Sequence, residues 1–195
     1  CPYAIRARTA LAIIAMPYRL IEVDLRNKPT DFLAWSPKGT VPVLVINQTQ
    51  VIDESIDIMI WSIKRSNMHS LFGKNDKSLE IFNLIETNDK VFKYHLDRFK
   101  YASRFNFEES STHRDAALKI LLSLNNRLEE FSNEGKPLFL VDAKETLADW
   151  AIWPFVRQFR IADIKKFDQN NEIQFRDRIL LACVKCLLYL LSLVS

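Results

Sequence analysis

Read for its spacing of apolar and polar positions, the chain opens on a helix and then alternates short strands with helices. Ala4, Ala7, Leu11 and Ile14 recur at helical intervals, which predicts a helix over 5–16 with a narrow apolar stripe, ended by Pro17. Leu20, Ile21, Val23 and Leu25 predict a strand over 18–25. The polar run Arg26 to Pro29 turns the chain, Thr30 caps a short helix through Trp35, and Ser36-Pro37-Lys38-Gly39 breaks it. Thr40 to Ile46 reads as a buried strand opening on Pro42, which cannot donate to a sheet ladder and so belongs at a strand's start or edge. Asn47 to Gln50 makes a hairpin turn to the short return strand Val51-Ile52. Ile56, Met59, Ile60 and Ile63 mark the core face of a helix from about Ile56 to Lys64.

The second half is helical throughout. Ser66 to Asp76 is polar and aperiodic, so 67–77 is read as a linker between one domain over 1–66 and a second over 78–195. A long helix over 78–105 has Ile81, Leu84, Ile85, Asn88, Phe92, Leu96 and Phe99 on its buried face. Thr112 with Asp115 resembles a capping pair for the next helix, whose core positions are Ala117, Leu121, Leu124, Leu128 and Phe131. A loop over 131–144 carries a short apolar piece, Leu138 to Val141. Thr146-Leu147-Ala148-Asp149 is a second cap signature, before a helix that Pro154 should kink. Glu145 stands where an apolar staple residue would be, so that staple should be absent. Ile179 to Val194 is an apolar run with Lys185 inside it; it falls short of the ~20 residues of a membrane span and reads first as a buried terminal helix.

Composition narrows the function classes. A length of 195 residues with 48% hydrophobic content suits one large or two small domains with a sizeable core. The 27 Lys and Arg are interspersed with 24 Asp and Glu, which argues against nucleic acid as a partner. The 3 glycines, Gly39, Gly73 and Gly135, stand too far apart for a phosphate-binding loop. Three cysteines are too few for a disulfide scaffold, which points to a reducing, cytoplasmic setting. Cys183 and Cys186 form a Cys-x-x-Cys, but zinc would need two more ligands from His69, His95 and His113, so two packed thiols are the plainer reading and no metal is expected. The start lacks the basic-then-apolar pattern of a secretory leader, and a first residue other than Met implies chain ahead of it.

The candidate chemistry sits at Cys1-Pro2-Tyr3-Ala4. Pro2 suits the first turn of a helix, which puts Cys1 at or beside the N-cap. A thiol there faces unpaired N–H groups and the positive end of the helix dipole, and Arg6 and Arg8 add charge nearby; all three favour the nucleophilic thiolate. The competing reading is an ordinary thiol at a frayed end. Ala4 removes the second cysteine of a Cys-x-x-Cys, so a mixed disulfide at Cys1 has no internal thiol to resolve it.

Four segments together carry a family resemblance: Cys1 to Arg8, Val23 to Pro29, Pro37 to Leu44, and Asp53-Glu54-Ser55. With Tyr94 to Tyr101 and Leu147-Ala148-Asp149 they resemble cysteine-type glutathione transferases, the omega-like group and its bacterial relatives, over roughly residues 1 to 168. The resemblance implies a thioredoxin-like N-terminal domain (β-α-β-α-β-β-α, with its first strand ahead of Cys1) followed by an all-helical C-terminal domain. It implies glutathione as substrate, a cis Val41–Pro42 bond that turns the Val41 backbone toward the ligand's cysteinyl backbone, Glu54 and Ser55 on its γ-glutamyl end, Lys28 near its glycyl carboxylate, and Cys1 beside its thiol. Tyr94, Arg98 and Tyr101 would lie along the cleft for a second, electrophilic or disulfide substrate, and a homodimer is expected. Each residue has a plainer role: Glu54 and Ser55 as a helix cap, Lys28 as a turn lysine, Pro42 as a strand start, and His95 as a packed or surface histidine. The implied activity is monothiol thiol transfer, such as reduction of mixed disulfides or dehydroascorbate. A binding protein without turnover is the alternative. A membrane-associating relative, of the kind seen among intracellular chloride channel proteins, is a third that rests on the terminal apolar run alone.

Overall fold

The computed structural model describes residues 1–74, 76–130 and 139–169. They fall into two compact units, one over Cys1–His69 and one that begins at Ser70. The break between them comes inside a short 3-10 turn, His69–Phe72, within the stretch 67–77.

The first unit is a small α/β layer. Helix α1 spans Pro2–Ile13, with proline at its first position where the missing N–H is no loss. It ends short of Pro17 because the Met16 N–H turns back to the Leu11 carbonyl at 3.0 Å and Ala15 takes a left-handed φ of 49°. Helix α2, Thr30–Trp35, starts after Pro29, so Thr30 is its first residue and not its cap. Strands β1 (Leu44–Ile46) and β2 (Gln50–Ile52) pair antiparallel in the register Leu44 to Ile52 and Ile46 to Gln50. The turn between them holds Asn47 and Gln48 at φ of 50° and 58°. Helix α3, Ser55–Lys64, packs on α1. Small α1 residues, Ala7 and Ala10, are buried there with Leu11, which lets the two backbones approach closely.

Three expectations are corrected in this unit. Residues 18–25 form no strand: among the described residues nothing pairs with them, and without a ladder partner Leu20, Ile21 and Leu25 are left exposed. The strand expected over 40–46 shortens to β1 and is half-buried, because one hairpin partner covers one edge only. The buried face of α3 is Ser55, Ile58, Met59, Ser62 and Ile63, rotated away from Ile56 and Ile60; Ser62 tolerates burial by donating to the Ile58 carbonyl at 2.8 Å.

The second unit is helical in every regular element described. Helix α4, Asp76–Thr87, runs through a single π turn, Asn88–Phe92, into α5, Lys93–Lys100. The long helix expected over 78–105 is therefore one rod with a wide turn in it, ending in a 3-10 turn at Ala102–Arg104. Its predicted stripe is buried at Ile81, Ile85, Asn88, Phe92 and Leu96. Helix α6, Ser110–Glu130, begins ahead of Thr112, so Thr112 and Asp115 lie within the helix and do not cap it. Its core positions Ala117, Leu121, Leu124 and Leu128 are buried as predicted.

Helix α7, Leu147–Ala162, is the centre of this unit: from Leu147 to Val156 every residue is buried. It runs on through Pro154 at the loss of one backbone hydrogen bond. Phe159 sits between Phe99, with ring centroids 5.6 Å apart, and Phe167 on α8 (Ile164–Asp168) at 6.2 Å. Arg160 grips Asp168 with two parallel hydrogen bonds of 2.9 and 2.8 Å. Among the described residues no helix is long and apolar enough to cross a membrane. The readings of Phe131, of the apolar run 179–194 and of Cys183 and Cys186 lie outside the described residues.

Candidate functional site

The candidate site gathers the ends of elements in the first unit. Cys1 is the N-cap of α1, where the Ile5 N–H closes the first turn on its carbonyl at 3.1 Å. Its thiol is exposed, and its Sγ lies 4.0 Å from the Val41 carbonyl oxygen, at the outer limit for a thiol donor. The Val41–Pro42 peptide bond is cis, and both residues are half-buried just ahead of β1. The structure thus brings Cys1 and the proline turn together across 40 residues of chain.

Glu54 and Ser55 stand at the start of α3. Glu54 is the N-cap and exposed, whereas Ser55, its first helical residue, is buried. The Ser55 Oγ accepts from Arg6 Nη1 at 3.4 Å, which ties the start of α3 to the second turn of α1. A helix start with a hydroxyl and N–H groups suits a carboxylate. Glu54 is not idle: Lys38 Nζ lies 3.0 Å from Glu54 Oε1 and 3.0 Å from Asp53 Oδ2. The hydrogen bond to Glu54, then that to Asp53, raises the Lys38 ammonium above its ordinary value. An ammonium, that of Lys38, already occupies this carboxylate pair.

Lys28 is exposed and lies across Gly39: a Cβ added there would come within 2.9 Å of the Lys28 Nζ. Gly39 also needs its freedom, with φ at +62°. Lys38 and Gly39 were not singled out as site residues from sequence, and Arg6 only as charge near Cys1. Gly39 and Lys38 read as turn chemistry, and their partners come from distant segments. Arg6 left one usable signal, a position one residue ahead of Ala7 and four ahead of Ala10, at the margin of the apolar stripe.

The residues expected along a second-substrate cleft lie in the second unit and divide into two groups. Arg98 stacks over Tyr94, 3.5 Å from the ring centroid, and over Phe105 at 4.8 Å. Tyr101 instead packs with Arg104 at 4.9 Å and Lys100 at 5.0 Å. His95 is packed: its Nδ1 lies 2.8 Å from His113 Nδ1 on α6, a contact in which one ring nitrogen donates and the other accepts. Burial first, then the charge of His113 and Arg98, holds His95 below its ordinary value. Among the described residues no cluster of three or more His, Cys, Asp or Glu is placed to hold a metal ion.

Residues 1–64 match the family model described as the glutathione S-transferase N-terminal domain. Glutathione S-transferase omega-2 of Rattus norvegicus is 39% identical over 56 residues, which cover 29% of this chain and 23% of that protein. Glutathione S-transferase omega-1 of Mus musculus is 23% identical over 167 residues, 85% of this chain and 66% of that protein. The chain thus matches less than two thirds of the length of either relative. A crystal structure of a glutathione transferase family member from Pseudomonas fluorescens, with two glutathione bound, shares the fold at a TM-score of 0.79 and 17% identity, over 97% of this chain and 88% of that one. The fold is a thioredoxin-like domain with a small sheet, followed by a mostly helical remainder.

Proposed function

We propose, on the premise that residues 1–64 are a glutathione S-transferase N-terminal domain in a chain with that family's fold, that the protein binds glutathione and transfers thiols through Cys1. The observation that supports this reading most is the meeting of an exposed N-cap thiol with the Val41 carbonyl at 4.0 Å, beside a cis proline turn. In this reading Val41 and Pro42 line the cysteinyl part of the tripeptide. Ser55 and the N-terminus of α3 take the γ-glutamyl carboxylate, Glu54 takes its ammonium in exchange for Lys38, and Lys28 takes the glycyl carboxylate.

The reaction needs only thiols. The Cys1 thiolate attacks the glutathione sulfur of a mixed disulfide, forming a Cys1–glutathione disulfide and releasing the other partner as a thiolate that picks up a proton. A second glutathione, as thiolate, attacks the glutathione sulfur on Cys1, releases glutathione disulfide and regenerates Cys1. Ala4 leaves this second thiol as the resolving group. Disulfides and other small oxidised or electrophilic compounds are the substrate class, and Tyr94, Arg98 and Tyr101 are offered as contacts for them. Residues 1–66 supply the thiol chemistry, 67–77 the linker and 78–195 the second-substrate side. A two-fold dimer in a reducing cytoplasm completes the reading.

Cys1→Ser tests it. The variant should retain glutathione binding by calorimetry and lose reduction of glutathione mixed disulfides. Unchanged turnover would remove Cys1 from the mechanism, and glutathione binding without turnover in the unmodified protein would leave the ligand-binding alternative.

A further inference from the structure

Arg6 is 0% exposed and points its guanidinium at Ser55, with its Cζ also 5.6 Å from the Tyr3 ring centroid. A buried guanidinium is an expensive way to fill space between helices, since an apolar residue of similar volume is often neutral or stabilising in its place. One use of it lies in what it does to Ser55, a group it touches. A serine hydroxyl has one proton and two lone pairs. Arg6 cannot accept a hydrogen bond, so its donation occupies a lone pair of Ser55 Oγ and turns the hydroxyl proton away from α1. The proton is left for an acceptor at the start of α3, and the guanidinium adds fixed positive charge to the positive end of that helix.

We propose that Arg6 is a positioning residue for a carboxylate held at the start of α3, and that it sets the preference of the site for γ-glutamyl thiols over thiols that lack that carboxylate. The inference rests on the proposed glutathione reading. Arg6 touches no substrate in it; it acts through Ser55. Lysine in its place keeps the charge and the aliphatic stem but replaces a planar donor fork with a point charge, and should leave the hydroxyl unaimed.

The test is glutathione affinity by calorimetry in the full chain for four proteins: unmodified, Arg6→Lys, Ser55→Ala and the double variant. Arg6→Lys should weaken glutathione about tenfold, the size of one charge-linked hydrogen bond. With Ser55→Ala already present, Arg6→Lys should change affinity less than about twofold, because no hydroxyl is left to aim. Turnover should separate in the same way: KM for glutathione rises while kcat holds, and reduction of the cysteinylglycine disulfide, which has no γ-glutamyl group, is unchanged. An equal loss from Arg6→Lys in both backgrounds, or an equal loss on both disulfides, would assign Arg6 a purely structural role and overturn the inference. No binding of glutathione by the unmodified protein would instead overturn the function on which it rests. If Arg6→Lys does not fold, Ser55→Cys, whose thiol is a poor hydrogen-bond partner for a guanidinium, takes its place in the comparison with Ser55→Ala. Equal glutathione affinity in these two variants is then expected, and a cysteine variant as tight as the unmodified protein contradicts the inference.

Discussion

Two helix starts in this molecule bury a charged side chain next to a hydroxyl residue, and the two arrangements differ in where their hydrogen bonds go. At α7 the Asp149 carboxylate accepts from the Leu140 N–H at 2.9 Å, the Thr146 N–H at 2.7 Å and the Thr146 hydroxyl at 2.8 Å. All three donors lie within 9 residues, and the group is sealed in the helical core. At α3 the arginine reaches across 49 residues to Ser55, and the helix start it serves adjoins exposed residues, Glu54 and the segment that holds Cys1. The first device consumes its own hydrogen-bonding capacity and specifies a fold. The second, in the proposal above, keeps the Ser55 hydroxyl proton for a ligand.

The largest separation between the two comes from their deletion. Cys1→Ser should lower thiol transfer by roughly 1,000-fold or more, as for removal of a nucleophile, with thermal stability unmoved. A stopped assay with a glutathione mixed disulfide and a melting curve read both effects. Asp149→Ala should do the reverse. It strands the Leu140 N–H, the Thr146 N–H and the Thr146 hydroxyl in the core. At about 1 kcal/mol for each, the loss is about 3 kcal/mol, or a fall in Tm of about 10 °C, with the glutathione affinity of the folded fraction retained. Lost affinity in a folded Asp149→Ala protein would erase the distinction.

Smaller effects sharpen it. Gly39→Ala forces a side chain into a left-handed φ of +62° and against the Lys28 ammonium, so it should cost about 1 kcal/mol by urea titration and displace Lys28. If Lys28 holds the glycyl carboxylate, glutathione binding weakens as well; a stability loss without any change in affinity would take Lys28 out of the site.

The pH dependence of stability is the finest test. Burial pushes the Asp149 carboxyl up to about 6 from 3.8, against the pull of the hydrogen bonds it accepts. The folded state therefore keeps a proton that the unfolded chain releases. Asp149 favours folding most below pH 3.8, loses that contribution as pH rises to about 6, and contributes no further slope above it. His95 has the opposite sign. Its lowered value means that the unfolded chain takes a proton first, so stability falls as pH drops below 6.5. Urea midpoints between pH 4 and 7 should show Asp149→Asn removing the loss on the rising side and His95→Gln removing the loss on the falling side.

What the sequence revealed and what it hid follow the same division between local and distant contacts. The start of α3 at Ser55 and the Thr146–Asp149 cap are legible because their signals lie within a few residues, whereas the cis Val41–Pro42 bond was implied by the family resemblance. The strand over 18–25 failed because alternation of Leu20, Ile21, Val23 and Leu25 describes a surface that a neighbour must cover, and no described residue does. Arginine in a helix ordinarily reads as solvent-facing, so Arg6 was credited with nearby charge and not with a buried bond to Ser55. The Lys38 pairing with Asp53 and Glu54 and the His95 contact with His113 are hidden for the same reason, since their partners come from other elements.

The central claim is that Cys1 is the sulfur that exchanges with glutathione. Incubation of the full chain with glutathione disulfide, followed by mass measurement of its peptides, tests this directly. One glutathione on Cys1, removed again by excess glutathione, is the predicted result. An unmodified Cys1 with the adduct on Cys183 or Cys186, or no adduct at all, would contradict the account.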